Sequence, residues 1–105
     1  AKEIFQNIYN SIDLSEQQKE IIRIRLGQIF LKEGNLADLR RYLNFTSEDE
    51  NREGFKKFIL AVSLLTERKF TDAKPLIDSK EVQYSTLINK ADLEQVKELM
   101  KKVGK

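Results

Sequence analysis

Apolar residues recur at intervals of three and four along almost the whole chain, and that spacing restricts it to helices packed on helices. Ile4, Phe5, Ile8, Tyr9 and Ile12 form the first stripe and predict a helix over 2–12. Ile22, Leu26, Ile29 and Phe30 form the second, with Ile21, Ile24 and Leu31 on an adjoining side. Leu36, Leu39, Tyr42 and Leu43 predict a short third helix, and Phe55, Phe58, Ile59, Val62 and Leu65 a long fourth. Phe70, Ala73, Leu76 and Ile77 predict a fifth. Leu93, Val96, Leu99, Met100 and Val103 share one face of a C-terminal helix over 92–103. Strand-like alternation is confined to Val82, Tyr84 and Thr86, and a short helix is the preferred reading of 80–89. One proline and four glycines leave few breaks. The expectation is one all-α domain over 1–105, with six or seven helices and no sheet. Phe58, Val62 and Leu65, on the most apolar helix, are expected in its core.

Local signals set the helix ends. Ser15 followed by Gln18 is a capping box, and Gly34 suits a left-handed C-terminal position. Ser47 with Glu50 reads as a second box, and Asp49, Glu50 and Glu53 add negative charge where the helix dipole favours it. Asp72 as N-cap would place Pro75 in the first turn, where its missing N–H costs little. Asp92 with Gln95 is expected to cap the last helix.

The chain also matches itself at an offset of 34. Ile24 aligns with Phe58, Leu26 with Leu60, Gly27 with Ala61, Phe30 with Leu64 and Leu31 with Leu65. Leu36 aligns with Phe70, Leu39 with Ala73, Tyr42 with Leu76 and Leu43 with Ile77. The polar pairs Glu33 with Glu67 and Asp38 with Asp72 are identical. The content is a long helix, a short turn and a short helix, then the same again, over about 20–53 and 54–87. Small Gly27 and Ala61 would let the helices of each hairpin approach closely.

This pattern resembles the tetratricopeptide repeat. Leu26-Gly27-x-x-Phe30 is similar to that family's L-G-x-x-Y element, and Ala73-x-x-x-Ile77 and Leu39-x-x-x-Leu43 to its A-x-x-x-F element. Arg23 and Lys57 depart from it where the family has a large aromatic, and Asn51 and Ser85 stand in place of the closing proline. The resemblance implies antiparallel hairpins stacked as a short right-handed array. The alternative from spacing alone is an irregular bundle of hairpins. It also implies a concave face built from the first helix of each hairpin, lined by Ile24, Gln28, Leu31 and Lys32 and then by Phe58, Val62, Leu65 and Thr66.

Composition removes much chemistry. Without cysteine there is no disulfide, thiolate site or cysteine nucleophile, and without histidine zinc sites, Ser-His-Asp triads and histidine haem ligation are excluded. The glycines are isolated and form no phosphate loop, and 47–53 lacks a calcium-loop spacing. Glu16 with Glu20 and Glu94 with Glu98 read as solvated faces. No enzyme activity and no cofactor are expected. Nineteen Lys and Arg oppose seventeen Asp and Glu, so the chain lacks the strong basic excess of a dedicated nucleic-acid binder. Arg23, Arg25, Lys32, Arg40 and Arg41 form the one basic cluster. The longest apolar stretch, 58–65, is too short to cross a bilayer, and no signal peptide is visible. The chain opens on Ala1, so it is either processed or a piece of a longer protein. A cytoplasmic location, or a soluble domain of a larger membrane-anchored protein, is expected, with no membrane insertion by this segment.

The functional expectation is therefore a protein-interaction module that binds another protein or peptide, with self-association as one form of that binding. Ile24, Gln28, Leu31 and Lys32, rimmed by Arg23, Arg25, Arg40 and Arg41, are the candidate partner surface. A small basic helical domain that binds nucleic acid is the alternative.

Overall fold

The computed structural model describes residues 3, 4, 6, 7 and 14–103. Glu3, Ile4, Gln6 and Asn7 are helical; Phe5, Ile8, Tyr9 and Ile12 of the expected first stripe lie outside the described residues. Six further helices follow: α1 (Glu16–Glu33), α2 (Leu36–Tyr42), α3 (Glu50–Thr66), α4 (Phe70–Ile77), α5 (Lys80–Tyr84) and α6 (Lys90–Val103). There is no strand among the described residues, so the protein is all-α. The segment over Val82, Tyr84 and Thr86 is helical as far as Tyr84. The chain divides into two units, Ala1–Thr46 and Ser47–Lys105.

In the first unit, α1 and α2 form a hairpin. The capping box is present: Gln18 N–H donates to Ser15 Oγ, and Ser15 N–H donates to Gln18 Oε1. Leu26, Phe30, Leu39 and Leu43 are fully buried, and the Phe30 and Tyr42 rings stack with centroids 5.5 Å apart. Gly27 allows the close approach that its size suggests. A Cβ there would lie 3.0 Å from the Leu43 side chain.

In the second unit, α3 packs against both α4 and α5, and α4 against α5 and α6. Phe58 and Ala61 of α3 meet Ala73 and Ile77 of α4, Val82 of α5, Ile88 and Leu93. Val62 and Leu65 are half-buried against that core. α3 and α5 come so close that a Cβ at Gly54 would lie 2.7 Å from the Glu81 carbonyl carbon and 2.8 Å from Ser85 Cβ. Asn51 ties down the following loop, accepting from Ser85 Oγ at its carbonyl and from Thr86 N–H at its side chain.

The two long helices begin 34 positions apart, as do the two short ones. Their turns share one hydrogen-bond pattern. Gly34 N–H donates to the Leu31 carbonyl and Asn35 N–H to that of Phe30; Arg68 N–H donates to Leu65 and Lys69 N–H to Leu64. This is the Schellman closure, which needs a left-handed residue after the helix. Gly34 supplies it with φ 77°, and Arg68 with φ 61°.

Three of the expected caps are corrected. Asp49, not Ser47, caps α3, accepting from Arg52 N–H, and Ser47 N–H donates to the Glu53 carboxylate at 2.9 Å. Glu53 has been drawn inward instead of decorating the helix end; it pairs with Lys56 at 2.9 Å, their side chains 9% and 7% exposed. α4 starts at Phe70 and not after Asp72, because the turn delivers the chain directly into the helix at Lys69. Pro75 consequently lies inside the helix, where it cannot donate to the Thr71 carbonyl. Asn89, not Asp92, caps α6: its Oδ1 accepts from Ala91 and Asp92 N–H.

Candidate functional site

The surface expected on α1 and α2 takes a narrower form in the structure. Ile24 is 4% exposed and belongs to the buried side of α1, so it offers nothing to a partner. The spacing placed it on an adjoining side because α1 has apolar residues on more of its circumference than one contact needs. Ile21, by contrast, is exposed, while Gln28 and Leu31 are half-buried and Lys32 is exposed. The arginines are engaged locally. The Arg23 guanidinium lies over the Phe45 ring at 5.1 Å, and that of Arg41 over Tyr42 at 5.3 Å while pairing with Asp38 at 3.6 Å. Arg25 donates to Gln28 at 3.4 Å, and Arg40 is half-buried. These contacts spread the basic cluster over several faces.

A groove in the second unit went unseen in the sequence. It lies between α4 and α6 and has a volume of about 860 Å³, larger than the depressions beside Tyr84 (280 Å³) and on the outer face of α6 (420 Å³). Its apolar surface comes from Phe70 and Ile77 of α4 and Met100 of α6. Phe70 and Ile77 stand seven residues apart, which is two helical turns and therefore one face. Ile77 is 2% exposed and forms the bottom; Phe70 and Met100 are half-buried. Lys74 stands on the α4 wall, and Lys97 and Lys101 flank Met100 on the α6 wall.

Gln83 of α5 joins the two walls. Its Nε2 donates to the Ile77 carbonyl and its Oε1 accepts from Lys97 Nζ, both at 2.7 Å. The bond to Ile77 satisfies a carbonyl near the end of α4, where the helix itself has no donor left. Lys74 bonds Asp78, also in the groove, at 3.1 Å. The acidic neighbours of Lys97 and Lys101 are Glu94 and Glu98 at 3.8 and 3.9 Å, both on exposed stretches of α6. Pairs this long and this wet contribute little and exchange readily. The clue available in the sequence was the interleaving of lysine with apolar residues, Lys74 between Phe70 and Ile77, and Met100 between Lys97 and Lys101.

Elsewhere in this unit, Lys57 bridges the Glu53 and Glu81 carboxylates at 3.9 and 3.4 Å. The Glu81 carboxyl is held below its ordinary range, first by a hydrogen bond from its own backbone N–H and then by the hydrogen bond and charge of Lys57. Among the described residues no group of three or more acidic side chains could hold a metal ion, and no helix is long and apolar enough to cross a membrane. Against known proteins, the chain matches no family model, no curated protein and no solved structure.

Proposed function

We propose that the protein is a non-catalytic binding module whose groove between α4 and α6 receives a segment of another protein. The observation that carries this reading is the groove itself: an apolar floor of Phe70, Ile77 and Met100 beneath polar walls. Such a concave surface, apolar at the bottom and polar at the rim, buries a partner's side chain while orienting its backbone. The two long-helix, short-helix pairs with a common turn resemble tetratricopeptide units, but the groove lies beside the second helix of a hairpin and not on the first-helix face that the resemblance implied, so the reading rests on the groove alone.

The test is selection of a random displayed peptide library on the immobilised full chain, followed by fluorescence anisotropy with the enriched peptides. Peptides are expected to enrich and to lose most of their affinity for Met100→Gln, which keeps the length of the side chain and makes its end polar. Failure to enrich any peptide, or equal binding to Met100→Gln and the parent, overturns the proposal.

A further inference from the structure

The charges around the groove point to the chemistry of its occupant, if the groove is the peptide site just proposed. Lys74 stands on one wall and Lys97 and Lys101 on the other, with Asp78 as the single acidic residue of the lining. Lys74 is paired with Asp78 at 3.1 Å, so the α6 wall carries the net positive charge of the groove, above a floor that is apolar. We infer that the groove selects acidic peptide segments in which aspartate or glutamate flanks a large apolar residue.

Three features carry this inference. The first is the excess of cations over Asp78 in the lining, carried by Lys97 and Lys101 on the α6 wall, which repels a basic partner and attracts an acidic one. The second is the hold on Lys97. Gln83 is anchored to the Ile77 carbonyl and takes one hydrogen bond from the Lys97 ammonium. An ammonium has three donors, so Lys97 is kept in the groove with donors to spare. The third is the nature of the competing anions. Glu94 and Glu98 approach Lys97 and Lys101 only at 3.8 and 3.9 Å from exposed positions. A carboxylate delivered into the groove beside a buried apolar side chain meets the same ammonium groups with less water around them, where the attraction is stronger.

The lysines also set the style of recognition. They are compact charges without the planar fork of arginine, so they accept aspartate and glutamate in many poses. Specificity for position then comes from the floor, where Phe70 and Met100 remain half-exposed and can be covered by one leucine- or phenylalanine-sized side chain. An extended nucleic-acid strand offers phosphates to the lysines and a base to stack on Phe70, so it is the competing occupant that the test separates.

The same library selection tests this, read for composition. Enriched peptides are expected to carry an excess of Asp and Glu around Leu, Ile or Phe. Three probes made from one enriched peptide then separate the terms: the peptide itself, a version with every Asp and Glu changed to Asn and Gln, and a version with its apolar residue changed to Ser. Each altered probe should bind at least about tenfold more weakly. The parent peptide should lose affinity as salt rises, and the amide version should not. The double change Lys74→Glu and Lys97→Glu should abolish binding, while Lys90→Glu with Lys102→Glu, an equal change of charge outside the groove, should leave most of it. Lys97→Arg keeps the charge and should retain binding, which guards against loss through misfolding.

Enriched peptides that are neutral or basic, or an amide probe that binds as well as its parent, overturn the inference and leave the binding function standing. Binding of an oligothymidine strand that matches the peptide's and is lost in the same lysine variant also overturns it. No enrichment at all removes the function from which it starts.

Discussion

Gly54→Ala isolates the contact on which the second unit depends. Gly54 lies in the interior of α3, where alanine is favoured over glycine by about 1 kcal/mol. Were the site open, the change would stabilise the protein. It is not open: the new Cβ would sit 2.7 Å from the Glu81 carbonyl carbon and 2.8 Å from Ser85 Cβ. The Glu81 carbonyl oxygen lies nearer still. Reaching ordinary contact at 3.4 Å therefore requires α5 to withdraw by more than about 0.7 Å, the amount that the carbonyl carbon alone demands, and its backbone has no rotamer with which to yield. Val82 moves with it, and Val82 is fully buried. A radial gap of that size forfeits a quarter to a half of each dispersion contact it opens. Overpacking of this kind costs about 1–3 kcal/mol, and the opened contacts add to that. With the helix gain subtracted, the net loss should be about 2 kcal/mol, or about 10 °C in Tm for a unit of this size. Gly27→Ala is the internal comparison. There the nearest atoms belong to the buried Leu43 side chain at 3.0 Å, which has to give by a few tenths of an ångström without moving backbone, so the net effect should stay within about 1 kcal/mol of zero. The assay is urea denaturation followed by circular dichroism, with amide hydrogen exchange in α3 and α5 to assign the loss to this unit. A Gly54→Ala protein as stable as the parent, or more so, would refute the close approach of α3 and α5.

Other outcomes follow from the buried groups. Glu53→Ala takes 2.9 Å partners from the Lys56 ammonium and the Ser47 N–H, and should cost about 3 kcal/mol by chemical denaturation; a loss under half of that would show the pair to be dispensable. Ile24→Asp should unfold the α1–α2 hairpin because it puts a charge where Ile24 is buried, whereas Leu31→Asp, half-buried, should be tolerated better; circular dichroism melts of the two compare them directly. The folded-state Glu81 carboxyl titrates below its unfolded value, so its contribution to stability is full above the unfolded pKa of about 4.3 and fades as pH falls through the lower folded value. A side-chain NMR titration of Glu81 checks the direction, and Lys57→Met should return it toward the ordinary range.

The parts of the fold that the sequence revealed are those governed by one helix at a time. The stripes of Leu26 and Phe30, or of Phe58 and Ile59, mark buried faces directly, since a helix can bury only one side cheaply. The Ser15 box and Gly34 were legible because both rest on contacts within a few residues. The errors arose where a competing group nearby, or packing that spacing does not report, decided the outcome. Ser47 and Glu50 have the spacing of a capping box, but Glu53 reaches back to the Ser47 backbone and Asp49 takes the cap. Asp72 looks like a start because of Pro75, yet the preceding turn fixes where α4 begins. Ile24 shows the same limit, since spacing alone does not say which of two adjoining apolar sides of α1 is covered. The groove was hidden for the strongest version of this reason. Lys74 and Lys97 are far apart in sequence, and only the packing of α4 beside α6, bridged by Gln83, makes them walls of one cleft.

The two matching turns carry a lesson about reserve. Gly34 occupies its left-handed position without strain, whereas Arg68 holds nearly the same conformation with a side chain attached. That residue is kept there by bonds on either side, Arg68 N–H to Leu65 and Lys69 N–H to Leu64, which hold the backbone against its own preference. Arg68→Gly should therefore raise stability by about 1 kcal/mol, an increment that the second hairpin has left uncollected. A chain that tolerates this strain at an exposed turn sits below the stability its backbone permits, and thermal melting of that variant would measure the margin.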